Sequence, residues 1–234
     1  MHIISLIREE LMNNADEETI TTGQRFFKEE INSYGVRIPV VQQISKTRFR
    51  EIKSAPKSEI FSLCETLFKS GKFEEGIIAC NWSYGMKKQF APDDSQLFER
   101  WIEQYITNWA TCDTFCNHTM GAFLEKYPGF LPELKRFALS GNRWMRRAAS
   151  VSLIVPARKG MFLQEIFEIA DLVLEDDDDL VRKGYGWLLK VASAKRLQEV
   201  FNFVMERRAR MPRVSLRYAI EKMPPEMKSE AMKR

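Results

Sequence analysis

Two stretches of this chain repeat each other at an offset of 36 residues, and that period constrains the fold more than any other feature. Asn142 aligns with Asp178, Met145 with Val181, Arg146 with Arg182 and Arg147 with Lys183. Ala148 and Ser150 fall on Gly184 and Gly186, and Leu153 on Leu189. Stacked helix pairs leave such a period because one pair cannot bury its apolar face alone and needs neighbours of like pattern. Equivalent positions in such a stack face the same way. The repeat therefore predicts Arg147 and Lys183 in one surface column, with Trp187 one turn beyond Lys183. Trp109 and Asp113, four residues apart, share a helix face about one repeat earlier. The expected product is a stripe of two indoles, one carboxylate and two cations.

The rest of the chain reads as helix after helix. Ile3, Ile4, Ile7 and Leu11 fall on one face of an opening helix. A second is expected over Thr22–Ser33, closed by Gly35 as a left-handed cap. Pro39 and Pro56 suit first turns, and Gly71 is the stop of the helix carrying Ile60, Cys64, Leu67 and Phe68. Further helices are expected over Phe73–Gln89, from a Pro92-Asp93-Asp94 cap through Trp101 to Ile106, over Trp109–Tyr127 and over Pro128–Ser140. Then follow Arg143–Val155 (broken by Pro156), Phe162–Glu175, Leu180–Ser193, Leu197–Arg208, Pro212–Met223 and a charged tail after Pro224-Pro225. Alternating strand patterns with hairpin turns are absent. The expectation is a single all-α domain over residues 1–234, a solenoid of antiparallel helix pairs whose concave face binds the ligand.

Composition narrows the function only by exclusion. A net charge of +4 permits a polyanionic partner without requiring one. Cys64, Cys80, Cys112 and Cys116 form no disulfide-like framework and read as reduced thiols, the amino terminus is charged too early for a secretory signal, and no apolar run approaches the roughly 20 residues that span a bilayer. The expected location is the cytoplasm, in contact with the nucleoid when DNA is bound. Cys112-x3-Cys116 with His118 lacks a second ligand pair for zinc, since His2 is the only other histidine. Asp176–Asp179 lacks the glycine and terminal glutamate of a calcium loop, and reads as helix capping. No Gly-rich phosphate loop, nucleophile elbow or hydrolase triad occurs. Neither a metal nor an organic cofactor is expected.

The stripe is where chemistry is legible. Most tryptophans on helices are core, and Trp82, Trp101 and Trp144 are assigned there. Trp109 and Trp187 differ because each shares a face with a charged side chain one turn away. Arg146 and Arg147 point about 100° apart on a helix, and the repeat selects Arg147 for the cleft with Arg146 as a second candidate. Basic side chains bind phosphates, indoles wall a sugar or base, and a carboxylate near a sugar stabilises a developing oxocarbenium ion or orients water. Such a set suits a nucleosidase acting on DNA, a DNA-binding repeat protein that tolerates loss of Asp113, or, most blandly, a protein scaffold.

Through Trp109-x3-Asp113, Trp144-x2-Arg147-Ala148-Ala149 and Lys183-x2-Gly186-Trp187, the chain resembles the AlkD-like family of bacterial DNA alkylation-repair glycosylases, helical-repeat proteins of HEAT-like type. The likeness runs from the Tyr34–Pro39 turn to the helix at Arg217–Ile220. It implies a right-handed α-α superhelix, Asp113 as the catalytic carboxylate, and Trp109 and Trp187 as walls of the cleft at the lesion. It also implies that Arg147 holds the DNA, with Lys183 in support. Arg37 and Phe26 stand where the family's pattern has glutamine and tyrosine, in amino-terminal helices that approach DNA. The implied reaction is hydrolysis of the N-glycosidic bond of N3- or N7-alkylated purines by a monomer acting on duplex DNA.

Overall fold

The computed structural model describes residues 2–233, which form two compact units that divide between Phe115 and Cys116. Every regular element among the described residues is helical, as the sequence predicts. The first unit contains α1 (His2–Asn13), α2 (Glu17–Gln24), α3 (Ile38–Ile52), α4 (Lys57–Lys69), α5 (Phe73–Gly85), α6 (Asp94–Tyr105) and α7 (Trp109–Phe115). Its centre is an aromatic cluster in which Phe61, Phe68, Phe98, Trp101 and Phe115 meet edge-on or tilted at centroid separations of 5.3–6.0 Å. Such geometries suit the ring quadrupoles and add to the area buried.

The expected helix over Thr22–Ser33 is not formed. Helix α2 begins at Glu17 instead, because the Asp16 carboxylate accepts from Thr19 N at 3.0 Å and Glu17 and Glu18 favour the first turn. Past Gln24 the chain leaves the helix for an irregular segment, 25–37. Gln24 holds its near end: Nε2 donates to the Glu29 carbonyl at 2.7 Å and Oε1 accepts from Ile31 N at 2.9 Å. Gly35 is therefore not a helix cap. It sits at φ +82° inside this segment, where a Cβ would come within 2.4 Å of the Asp16 carbonyl oxygen.

The second unit opens with a π-helical turn, Cys116–Met120, then α8 (Gly121–Lys126), α9 (Leu131–Ala138), α10 (Arg143–Val151), α11 (Ile154–Arg158), α12 (Leu163–Leu172), α13 (Asp179–Ser193), α14 (Leu197–Arg207), α15 (Arg213–Ile220) and α16 (Pro225–Met232). In this unit α9 packs on α10 and α12 on α13, while α10, α13 and α15 pack in succession. The 36-residue repeat is visible atom by atom. Asn142 and Asp178 are both N-caps, at φ −81° with ψ 117° and 121°, and their side chains accept from Trp144 N at 2.9 Å and Leu180 N at 2.8 Å. Ser140 Oγ accepts from Asn142 N as Asp176 Oδ1 accepts from Asp178 N, at 3.1 and 2.8 Å. Arg146 and Arg182 each reach back six residues, to the carbonyls of Ser140 and Asp176.

Three other boundaries depart from the sequence pattern. The helix expected to break at Pro156 ends instead at Val151, because Pro156 offers no N–H to the Ser152 carbonyl four residues back and its ring crowds that oxygen. Gly121 approaches the same carbonyl, where a Cβ would lie 3.2 Å away. At Pro92-Asp93-Asp94 the N-cap residue is Asp93, but its side chain makes no capping hydrogen bond. Asp94 turns back to accept from Ala91 N at 2.8 Å and pairs with Lys57 Nζ at 2.8 Å. The charged tail forms α16 because Pro225 suits its first turn, Ala231 is buried, and Arg208 donates to the Glu230 carbonyl at 2.7 Å.

Gly186 sets how closely α13 and α15 approach. A Cβ there would meet Tyr218 Cβ at 2.8 Å, Ser215 O at 2.9 Å and Ser215 Cα at 3.1 Å, and two of these atoms are backbone that cannot rotate away. Gly186→Ala is expected to lower the stability of the chain by about 2 kcal/mol in urea titration. Gly141→Ala, whose Cβ would meet nothing within 4 Å, is the matched control and should leave the midpoint unmoved.

Candidate functional site

In the first unit the site is built on α7. Asn108 caps it: the buried side chain accepts from Thr111 N at 3.0 Å and the carbonyl accepts from Cys112 N at 3.1 Å. That cap makes Trp109 the first helical residue and puts Asp113 one turn later on the same face, both half-buried. Helix α5 supports α7 closely, since a Cβ on Gly76 would stand 3.2 Å from Thr111 Cγ2. A π turn, Cys116–Met120, follows α7 directly, a feature common where helices carry function.

The irregular segment 25–37 fixes the Trp109 indole. Phe27 stacks on it at 5.4 Å and 24°, and Trp109 Nε1 donates to the Phe26 carbonyl at 3.1 Å. Phe73 supports Phe27 from the side at 5.7 Å. The far end of the segment is held by two adjacent glutamates of α5, each with no exposed surface. Glu74 accepts from Ser33 Oγ (2.7 Å) and from the N–H groups of Tyr34 (3.0 Å), Gly35 (2.9 Å) and Val36 (3.0 Å). Glu75 takes a two-pronged hydrogen bond from Arg8, both at 3.0 Å, and another from Tyr34 Oη at 2.7 Å. Buried carboxylates survive only with this degree of satisfaction.

Burial, and then the bond to Glu75, push the Tyr34 hydroxyl well above its ordinary range near pH 10. A raised tyrosine binds its proton more tightly folded than unfolded. Its contribution to stability is thus complete below about pH 10 and is lost as pH climbs beyond it toward the folded value. Tyr34→Phe should flatten the loss of stability between about pH 9.5 and 11 in denaturation titrations.

Phe26 and Arg37 are both exposed, and both lie at the ends of segment 25–37 rather than within helices as expected. Phe26 is 74% exposed. Phe27, Glu74 and Glu75 are site residues that the sequence pattern does not single out. The Phe26-Phe27 doublet is the available signal, but a helical assignment separates the two rings by about 100° and hides that one stacks on Trp109 while the other faces solvent.

In the second unit the cations divide. Arg146 is structural: it grips Asp176 through Nε at 2.6 Å and Nη2 at 3.3 Å, and spends Nη1 on the carbonyls of Ser140 and Gly141. Arg147 is not on the open surface that the repeat predicts. It is 5% exposed, lies across Gly184, whose Cβ would stand 3.5 Å from Nη1, and donates to the Leu180 carbonyl. The swap of Ala148 for Gly184 between repeats is what makes that room. Lys183 is partly exposed and pairs with Asp179 at 2.7 Å, and Trp187 is half-buried on the same helix. Trp82, Trp101 and Trp144 are buried, as expected. Among the described residues no group of histidine, cysteine or acidic side chains could hold a metal, and Asp176 and Asp178 are used in capping.

A family model for DNA alkylation repair enzymes matches residues 7–223. This chain belongs to that family. A solved structure described as a predicted DNA alkylation repair enzyme from Enterococcus faecalis has the same fold, with a TM-score of 0.81 at 18% identity, over 91% of this chain and 98% of that one. No curated protein matches the chain. An alkylation-repair fold accounts for the all-helical architecture, and membership spans both compact units. Among the described residues no helix is long and apolar enough to cross a membrane.

Proposed function

We propose that this alkylation-repair protein is a monofunctional DNA glycosylase for cationic N3- and N7-alkylated purines in duplex DNA. The observation that carries the reading is Asp113 one turn after a fixed Trp109 on α7. A protein that only bound DNA would gain nothing from a carboxylate among its phosphate contacts.

An alkylated purine of this class already carries a positive charge. When the bond from C1′ to the purine nitrogen breaks, the electron pair neutralises the base, so no general acid is required. Asp113 stabilises the cationic sugar that remains and orients the water whose oxygen bonds to C1′, its proton passing to the carboxylate or solvent. Trp109 and Trp187 pack against the deoxyribose and backbone of the DNA, while the partly exposed Lys183 and the exposed Arg37 hold phosphates. The Lys183–Asp179 pair is a poor obstacle, because exposed pairs contribute little and yield to a phosphate. Without a lysine nucleophile the product is an abasic site in an unbroken strand. No cofactor takes part, and the protein works as a monomer.

The test is release of free 7-methylguanine and 3-methyladenine from methylated duplex DNA, resolved by chromatography, with strand scission appearing only after alkali. Salt-dependent binding without release would replace this reading with that of a non-catalytic protein for damaged, bent or branched DNA.

A further inference from the structure

Helices α10, α13 and α15 pack in succession, and their registers match although α15 stands outside the 36-residue sequence repeat. The third and seventh residues of each are buried: Met145 and Ala149, Val181 and Tyr185, Ser215 and Ala219. The first and fifth residues, one turn apart, therefore share an equivalent face in all three. On α10 these are Arg143 and Arg147, on α13 Asp179 and Lys183, and on α15 Arg213 and Arg217. Every cation of the first two pairs is engaged within the protein. Arg143 pairs with Asp178 at 3.3 Å, Arg147 lies buried across α13, and Lys183 pairs with Asp179 at 2.7 Å. Arg213 and Arg217 are both exposed, and neither guanidinium has a hydrogen bond or ion pair to another described residue. Glu221, one turn beyond Arg217, is held by Lys190 at 2.9 Å and so does not offset them.

We propose that Arg213 and Arg217 form a phosphate grip on the DNA backbone, one helix beyond Lys183. The proposal rests on the reading of α13 as a helix that meets DNA, and not on the chemistry assigned to Asp113. Two arginines one turn apart, with no carboxylate to offset them, put two full charges on one exposed face, and the guanidinium fork matches a phosphate. Lys183 must release Asp179 to take a phosphate, whereas Arg213 and Arg217 release only water. Gly186 lets α15 lie close against α13, and helices in contact are about 8–10 Å apart. At about 3.4 Å of axial rise per phosphate on one strand, the grip falls about three base pairs from the phosphate that Lys183 meets. Helix α15 thus lengthens the stretch of duplex that the second unit engages.

The test is the salt dependence of duplex binding by the full chain. Arg213→Ala combined with Arg217→Ala should lower the slope of log K against log salt by about two, and weaken binding by about tenfold near 0.1 M salt. The melting temperature should stay at the wild-type value, because neither guanidinium has a partner to lose. Arg213→Lys combined with Arg217→Lys keeps both charges and should keep the slope. Lys135→Ala combined with Arg136→Ala removes two exposed cations of α9, outside the row of α10, α13 and α15, and should leave the slope unmoved. An unchanged slope in the double alanine variant of α15 overturns the grip. So does an equal fall in the α9 variant, which would mean that the DNA senses only bulk charge. The failure of the catalytic reading is separable: if wild type releases no base but the slope still falls by about two, the glycosylase falls and the grip stands. Wild type that binds no duplex overturns both.

Discussion

Asp113→Asn should reduce release of 7-methylguanine from methylated duplex DNA by about a hundredfold to a thousandfold in kcat, the usual consequence of removing one preorganised electrostatic partner of a transition state. The asparagine keeps the shape of the side chain and removes its charge. It should leave α7 in place, because the cap of that helix is made by Asn108 and α5 packs against it. Affinity is the internal control. Loss of a negative charge beside phosphates should leave binding of the duplex unchanged or tighten it, so the predicted signature is slower chemistry at equal or lower Kd. Loss of rate and affinity together would point to a damaged fold. Release at the wild-type rate would remove Asp113 from the chemistry.

How much of the fold and site is legible in the sequence follows from the range of the interactions involved. The repeat at 142–153 and 178–189 is local, and each copy carries its own cap, Asn142 or Asp178, so the helices it predicts begin where expected. Trp109-x3-Asp113 is also local, because residues four apart on a helix share a face. Segment 25–37 is not legible because its determinants are far away in the chain. Glu74 lies about 40 residues beyond the four donors it satisfies, and Gly35 is required by Asp16, not by a helix end. Arg147 departs from its expected exposure for a related reason. The repeat equates it with Lys183, but Gly184 gives Arg147 a place to lie across α13, so equivalence in sequence does not carry over to exposure. Arg146 finds its acceptor, Asp176, in the next repeat.

The same long-range logic makes Glu74 the residue whose loss should cost the first unit most. Its carboxylate is fully buried and satisfies one hydroxyl and three backbone N–H groups of a segment with no secondary structure of its own. Glu74→Gln keeps the volume but turns an amide NH2 toward donors and removes the charge that strengthens each bond, so stability should fall by about 3 kcal/mol. Denaturant titration by circular dichroism reads that loss. The functional consequence is distinct, because the segment is what stacks Phe27 on Trp109 and bonds its Nε1. At a temperature where the variant remains folded, single-turnover base release should drop by about tenfold or more, since displacing a positioning group by about an ångström is enough for a loss of that order. Phe27→Ala should reproduce the kinetic defect with a smaller loss of stability, and Phe27→Tyr, which keeps the stack, should recover the rate. A Glu74→Gln protein that released base at the wild-type rate while folded would show that the segment supports the fold alone and leaves the indole to be placed by α7.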